Sequence, residues 1–141
     1  MGVVGALVRS AFLTDAVYAE AARDHGITSQ QGQLLCVLMA RPRGMGELGP
    51  MLRLAKSSLT GLVDRTARRG LVRREPDPED GRAVRLALTD EGARVADAFY
   101  TDACTRIDAL TSNLPPADRE ALAALLGRVV MENKVPELFG E

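Results

Sequence analysis

Apolar residues recur at helical spacing through the first part of the chain, and this pattern predicts a helix over Val3–Asp24. His25 and Gly26 follow it as a helix end. The predominantly apolar positions cover most of the helix circumference: Leu7, Ala11, Thr14, Tyr18 and Ala22 on one face, broadened by Val8, Phe12 and Val17. A single small core rarely covers a helix on so many sides, so the pattern indicates burial against a second subunit.

Three more helical segments are predicted before residue 70. Thr28 and Gln31 have the spacing of a capping box, which marks the start of the second helix. Gly70 is a typical residue just beyond the end of a helix. In chain order the prediction is a helix over 28–40, a loop at 41–44, a short helix over Met45–Leu52, a break at 53–55 and a helix over 56–69.

The apolar spacing then changes from helical to alternating, which predicts two strands over 71–75 and 83–88. The turn-rich, charged segment 76–82 lies between them, so the pair is expected to form a hairpin. A short helix, a sharp turn, a polar-faced helix and a hairpin are the elements of a winged helix-turn-helix, whose second helix enters the major groove of DNA.

The last part of the chain is again helical. Thr89 is a favourable N-cap for a long helix that is predicted to run to about Asn113, and Asp118 is expected to open a final helix. The predicted fold is therefore mainly α, a winged helix-turn-helix with a two-stranded β-hairpin wing and a helical dimerisation region. We expect one domain over 1–141, with dimerisation helices at 1–24 and 114–141, the winged helix-turn-helix at 28–88 and a long connecting helix at 89–113.

Composition narrows the function. The chain has 141 residues, 46% of them hydrophobic, as expected for one globular domain with its own core. It has no apolar run of transmembrane length and no basic segment typical of a signal peptide, so no membrane association and a cytoplasmic location are expected. Cys36 and Cys104 stand apart and His25 is the only histidine, which argues against a metal site, a cofactor and most enzyme chemistry.

Charge is distributed unevenly along the chain. The net charge is −1, yet residues 53–85 hold nine cationic and five acidic residues, a surplus of four. A basic segment in an otherwise acidic protein is typical of a DNA reader, although charge clusters are often only solvated faces.

The candidate DNA-binding residues are Lys56, Ser57, Ser58, Thr60, Gly61, Arg65 and Arg68 on the polar-faced helix and Arg74, Asp80 and Arg82 in the hairpin. For Arg82 the alternative is an ion pair with Asp80 or Asp64 that only stiffens the hairpin. Arg73 and Arg74 alternate along a strand, so at most one of them is expected to face phosphates.

These residues resemble the winged-helix core of a known family. The run LAKSSLTGLVDRTARRGLVRREPDPEDGRAVRLALTDEG, from Leu54 to Gly92, is similar to that of the MarR family, most specifically in the strand, acidic wing and helix cap. The resemblance implies a homodimer with intertwined first and last helices that reads a pseudo-palindrome in double-stranded DNA. It also implies a repressor that is released by a small molecule, often phenolic or antibiotic-like. In the wing, Asp80 would orient Arg82 for the minor groove. Gly61 departs from the longer residue that many members carry, so the operator sequence is not carried over.

The resemblance also suggests residues that sense a signal. Arg9, Tyr18 and His25 lie on or beside the first helix, near where relatives hold ligands, although core packing of Tyr18 and a helix cap at His25 are the simpler interpretations. Some members sense oxidants through cysteine, whereas Cys36 on an apolar helical face is more typical of a small hydrophobic core residue, and Cys104 offers no stronger case. The rival class is a winged helix that binds proteins and not DNA.

Overall fold

The computed structural model describes residues 1–139. Over that range it contains six helices and three short strands: α1 (Val3–Asp24), α2 (Ser29–Leu38), β1 (Arg43–Gly44), α3 (Met45–Leu52), α4 (Lys56–Arg68), β2 (Val72–Pro76), β3 (Val84–Leu88), α5 (Asp90–Ala109) and α6 (Pro116–Glu132). The predicted mainly α winged fold is confirmed. Residues 140 and 141 of the predicted 114–141 region lie outside the described residues.

Local signals explain most helix ends. The capping box at Thr28 is confirmed, because its hydroxyl accepts from the Gln31 amide at 3.1 Å while the Gln31 side chain accepts from the Thr28 amide at 3.0 Å. Thr89 caps α5 by accepting from the Gly92 amide at 2.9 Å. Gly26 and Gly70 follow α1 and α4 with φ of 72° and 71°, which a residue with a side chain rarely adopts.

Three helix boundaries differ from the prediction by two residues or more. The second helix ends at Leu38 and not at Ala40. The long helix ends at Ala109 and not at Asn113, because the chain tightens into successive turns after it. The final helix begins at Pro116, ahead of Asp118, because proline is well tolerated in the first helical turn, where its missing N–H has no partner to lose.

The wing is a hairpin with an added third strand. β2 and β3 pair antiparallel, with Val72 opposite Leu88 and Pro76 opposite Val84. The prediction of a loop at 41–44 was wrong for its second half, because Arg43 and Gly44 form β1 and pair with β3. A strand of two residues is too short to show any alternation of apolar and polar positions, so the sequence carries no signal for it.

The core lies where α2, α4 and α5 meet the sheet. Its largest fully buried side chains, each no more than 1% exposed, are Phe99, Leu34, Leu35, Leu48, Leu62 and Leu86. Two glycines allow close approach of these elements. A Cβ at Gly32 would lie 2.8 Å from the Phe99 ring, and one at Gly92 would lie 1.8 Å from the carbonyl oxygen of Leu71. The start of α5 therefore rests directly on the chain that enters β2.

The N-terminal half of α1 and the whole of α6 lie outside this core. α6 has no buried residue, and Phe12 of α1 is 74% exposed. We call the exposed side chains of the two helices the apolar face: Val3, Leu7, Val8, Phe12 and Leu13 with Leu122, Leu125, Leu126, Val129 and Val130. A trough of about 510 Å³ runs between the helices and is lined by several of these residues. None of the helices in the described range is both long and apolar enough to span a bilayer.

Candidate nucleic-acid interface

The helix-turn-helix consists of α3, a three-residue turn and α4. The turn is closed by a hydrogen bond from the Leu54 amide to the Gly49 carbonyl at 3.0 Å, and Arg53 adopts a left-handed conformation with φ of 54°. On the inner side of α4, Leu59, Leu62 and Val63 are buried in the core. The apolar half of the predicted recognition helix is therefore fixed by the core, and its polar half faces outward.

The outer side of α4 carries the predicted DNA-binding residues. Lys56, Ser57, Ser58, Thr60, Arg65 and Arg68 are all exposed, and Gly61 is partly covered. Thr60 donates its hydroxyl to the Lys56 carbonyl at 2.9 Å, an ordinary bond within a helix. Across residues 1–139 no hydrogen bond or ion pair is recorded for the charged groups of Lys56, Arg65 and Arg68. Within that part of the chain, these three cations therefore give up no ion pair on meeting a phosphate or a base.

Gly61 affects where Arg65 lies. A Cβ at Gly61 would be 3.1 Å from the Nη1 atom of Arg65, which shows that the guanidinium folds back over the glycine one helical turn earlier. The sequence placed Gly61 among the DNA-facing candidates and identified it as a departure from the longer residue of many relatives. The structure adds that its lack of a side chain gives Arg65 room to lie along the helix surface.

The wing tip is built by two short-range hydrogen bonds from backbone to carboxylate. The Asp80 carboxylate accepts from the Arg82 amide at 3.1 Å, and Asp77 accepts from the Glu79 amide at 2.9 Å. Asp80 therefore holds the backbone at Arg82; that it orients the Arg82 side chain for the minor groove stays a prediction. The Arg82 side chain is exposed, and no ion pair to Asp80 or Asp64 is recorded for it within the described residues.

The arginines on the strands are paired. Arg74 forms an ion pair with Asp64 of α4 and so ties the recognition helix to the wing. Arg73 donates to the Leu88 carbonyl at 2.6 Å and pairs with Glu75, which also accepts from Arg85. Arg74 would contact DNA only by exchanging its partner. It also lines an open cleft of about 940 Å³ between α3 and α4, together with Lys56 and Thr60.

Arg53 was not among the sequence candidates. It lines the α3–α4 cleft and also a second cavity of about 580 Å³ on the other side of the helix-turn-helix. No partner is recorded for its guanidinium within residues 1–139. Its place in the turn between the two helices was the available signal, but nothing in the sequence indicates a left-handed backbone at an arginine.

Comparison with known proteins assigns the family. The family model described as the MarR family matches residues 25–83. The HTH-type transcriptional repressor NicR of Pseudomonas putida is 32% identical over 129 residues, which cover 90% of this chain and 82% of that protein. The chain belongs to the MarR family.

Solved structures of MarR proteins have the same fold. The apo form of wild-type MarR from E. coli matches with a TM-score of 0.81 at 26% identity, over 92% of this chain and 97% of that one. A mutant E. coli MarR complexed with operator DNA matches with a TM-score of 0.75 at 28% identity, over 90% and 93% of the two chains. This MarR-family protein is a DNA-binding transcriptional regulator and not an enzyme.

The structure separates the three candidate effector residues. Tyr18 lines the 580 Å³ cavity, and burial raises the pKa of its phenol, which stays neutral at physiological pH. Arg9 is exposed on α1, with a long contact of 3.9 Å to the Met1 sulfur. His25 caps α1 and its Nε2 lies 2.9 Å from the Asp102 carboxylate. Of these three, only Tyr18 is among the described residues that line the cavity.

Cys36 is buried, and its surroundings disfavour the reactive thiolate form. Burial is the largest cause that raises the pKa of its thiol, to about 11, so little thiolate exists at neutral pH. The thiolate is the form that oxidants attack. The interpretation of Cys36 as a small core residue therefore agrees with its surroundings.

Proposed function

We propose that this MarR-family protein acts as a homodimeric repressor that binds a pseudo-palindromic operator. The apolar face is the argument for the dimer. It covers both α1 and α6, and α6 buries none of its residues within one chain. Soluble monomers rarely leave so continuous an apolar surface to water. A second copy is the natural occupant, because a two-fold interface pairs the same face on both subunits.

The proposal follows the division expected from the sequence. Of the expected regions 1–24 and 114–141, helices α1 and α6 form the dimerisation region, while 28–88 form the reading lobe and 89–113 connect the two. In each lobe, α4 enters the major groove and Arg82 of the wing enters the neighbouring minor groove. Lys56, Ser57, Ser58 and Thr60 lie on the first turns of α4, the part of a recognition helix that faces base edges.

One observation carries the assignment of the DNA surface. The cations of α4 and the wing tip have no recorded partner among the described residues, whereas Arg73, Arg74 and Arg85 on the strands are all paired. Unpaired cations bind phosphates without first losing an internal ion pair. Repression is supported by NicR, which is named a repressor, and by the E. coli MarR structure with operator DNA.

The 580 Å³ cavity beside Tyr18 is the proposed effector site. Its wall is mainly apolar, with a phenol from Tyr18, an amide from Gln33 and the guanidinium of Arg53. Such a lining suits a small aromatic ligand with one polar or anionic group, the phenolic class expected from the family resemblance. Arg53 also lines the α3–α4 cleft, so a ligand that moves the Arg53 side chain in the cavity also changes the cleft beside α4.

A DNA titration tests the function. Duplex fragments selected from the source genome are titrated by fluorescence anisotropy at two salt concentrations, with the parent and with Arg65→Ala and Arg82→Ala. We expect affinity to fall steeply with salt, and each variant to lose about tenfold in affinity. We also expect Arg65→Ala to loosen sequence preference and Arg82→Ala to weaken binding over many sequences.

Arg94→Ala is the matched control, because Arg94 is exposed on α5 and lies outside α4 and the wing. It is expected to bind like the parent. Equal affinity for the parent, Arg65→Ala and Arg82→Ala would contradict the assigned surface. A protein that binds no duplex at low salt would favour the rival function, a winged helix that binds other proteins.

A further inference from the structure

The chain reverses direction after α6 and returns to the lobe. α6 ends at Glu132, and Lys134 adopts a left-handed conformation with φ of 53°. The Lys134 and Val135 amides donate to the last carbonyls of the helix, at 3.1 Å to Met131 and 3.3 Å to Val130. We call residues 133–139 the C-terminal strap.

Side chains hold the far end of the strap. The Phe139 ring lies 4.7 Å from the Tyr100 ring and 6.0 Å from the Tyr18 ring, measured between centroids. Tyr18 in turn packs edge-on against the buried Phe99 at 5.0 Å. Leu138 and Phe139 are partly buried against the core. The strap therefore ends on an aromatic wall that belongs to α1 and α5.

The same strap closes the proposed effector cavity. Val135, Leu138 and Phe139 line it together with Tyr18 and other residues of α1, α2, the α3 end and α5. Within the described residues, no backbone hydrogen bond is recorded for residues 136–139, and the contacts recorded for Leu138 and Phe139 are apolar. A segment held in that way separates more readily than a helix or strand.

We propose that the C-terminal strap is an intrachain competitor for the effector cavity: Phe139 occupies the aromatic wall of Tyr18 and Tyr100, and an aromatic ligand has to displace it. This inference rests on the proposed effector site and adds how that site is regulated. The cavity is free only while the strap is away from it, so the apparent dissociation constant of a ligand is its intrinsic value divided by that free fraction. A seated strap therefore raises the ligand concentration that is needed to fill the cavity.

The seating of the strap is tested first, without a ligand. The chain contains no tryptophan, so Phe139→Trp introduces a single indole at the proposed seat. We expect its emission to be blue-shifted and protected from iodide quenching. Glu137→Trp is the matched control, because Glu137 is an exposed strap residue. Equal emission and equal quenching of the two variants would overturn the proposal.

Competition is tested with the fluorescent probe 1-anilinonaphthalene-8-sulfonate. Its affinity is measured for the full chain, for the double variant Leu138→Ala/Phe139→Ala, for Glu137→Ala and for a chain that ends at Lys134. That truncation leaves α6 whole. For a strap that is seated about nine-tenths of the time, we expect the double variant and the truncation to bind about tenfold tighter, with one probe per chain. Glu137→Ala should bind like the full chain.

The outcomes separate the two proposals. Equal affinity in all four proteins overturns the strap as a competitor and leaves the cavity intact as a binding site. Weaker binding after truncation also overturns it, because the strap would then be part of the binding surface. Absence of probe binding in every protein overturns both the competitor and the effector site.

DNA affinity without the probe, and helicity by circular dichroism, should be unchanged by the double variant. A loss of either would show that the strap supports the fold and would overturn its role as a removable competitor.

Discussion

The reading lobe and the pair of helices α1 and α6 differ in how much of their apolar surface is buried within one chain. In the lobe, Phe99, Leu34 and Leu62 are at most 1% exposed, and the core is closed within one chain. In the helical region, Phe12 is 74% and Leu125 is 59% exposed. The lobe buries enough apolar surface to define its own structure, whereas the helical region leaves an exposed apolar face, which we propose a second copy covers.

The long first helix belongs to both regions. Ala21 and Ala22 at its C-terminal end are fully buried in the lobe, while its N-terminal half carries the apolar face. Two polar links fix the junction. Arg69, at the end of α4, donates to the Gly26 carbonyl, and Arg106 joins Asp24 to Asp102. The recognition helix is thereby tied to the helix that we assign to the dimer.

The largest effect is expected from a methyl group added inside the lobe. Gly92→Ala would place its Cβ 1.8 Å from the Leu71 carbonyl oxygen, so α5 and the start of β2 would have to separate. We expect a loss of about 3 kcal/mol in the free energy of unfolding, measured by urea denaturation. The matched control is Gly127→Ala in α6, where a Cβ meets nothing within 4 Å. It should be stabilising by about 0.5–1 kcal/mol. Equal stability of Gly92→Ala and the parent would contradict the packing of α5 on β2.

The next largest effect is expected on assembly. Phe12→Asp combined with Leu125→Asp places two charges in the apolar face, where burial of an unpaired carboxylate is costly. We expect a monomer with an intact lobe, and operator affinity about a hundredfold lower because the two half-sites are no longer bound together. Light scattering and anisotropy measure the two results.

Glu120→Gln is the control for that variant. Glu120 is exposed on α6 and projects from the side opposite Leu122 and Leu126, as the 3.6-residue period requires. It should leave the mass and the affinity unchanged. A dimer that survives both aspartates would show that the apolar face is not the contact between subunits.

The same contrast explains what the sequence predicts well. Capping at Thr28 and Thr89 and the stop at Gly70 are local features, decided by residues within one helical turn, and all three are found in the structure. The exposed polar face of α4 follows from periodicity alone. The unusual breadth of the apolar surface on the first helix is also visible in the sequence, and it indicates a helix that one small core does not cover.

The missed features depend on contacts between distant residues. β1 forms only because Arg43 and Gly44 meet a strand that lies some forty residues later. The ion pair of Arg74 with Asp64 depends on how the wing packs against α4. Phe139 returns to the aromatic wall because the chain reverses at Lys134. The left-handed position there is a lysine and not a glycine, so the sequence does not indicate the reversal. None of these is encoded in a local spacing.

A smaller effect sharpens the comparison between two glycines in helices. Gly61→Ala, like Gly127→Ala, should raise the free energy of unfolding by about 0.5–1 kcal/mol, because glycine is a poor helix former. Only Gly61→Ala should also change operator preference, since its Cβ would lie 3.1 Å from the Arg65 guanidinium and shift it. Selection of bound sequences from a random pool measures that preference. Identical selected sequences for the parent and Gly61→Ala would remove Arg65 from the set of base-reading residues.

The smallest effect is expected at the junction between the two regions. Hydrogen bonds from Arg106, and then from His25, lower the pKa of the Asp102 carboxyl below its ordinary 3.8. A lowered pKa in the folded state stabilises the protein above pH 3.8, and that stabilisation is lost as the pH falls further. Asp102→Asn should therefore have a lower urea midpoint than the parent at pH 7. The gap should close as both are titrated below pH 3.8.

Asp97→Asn, at an exposed position of α5, is the control and should show no such change with pH. A gap of constant size at every pH would mean that the carboxylate charge does not hold α1 to α5.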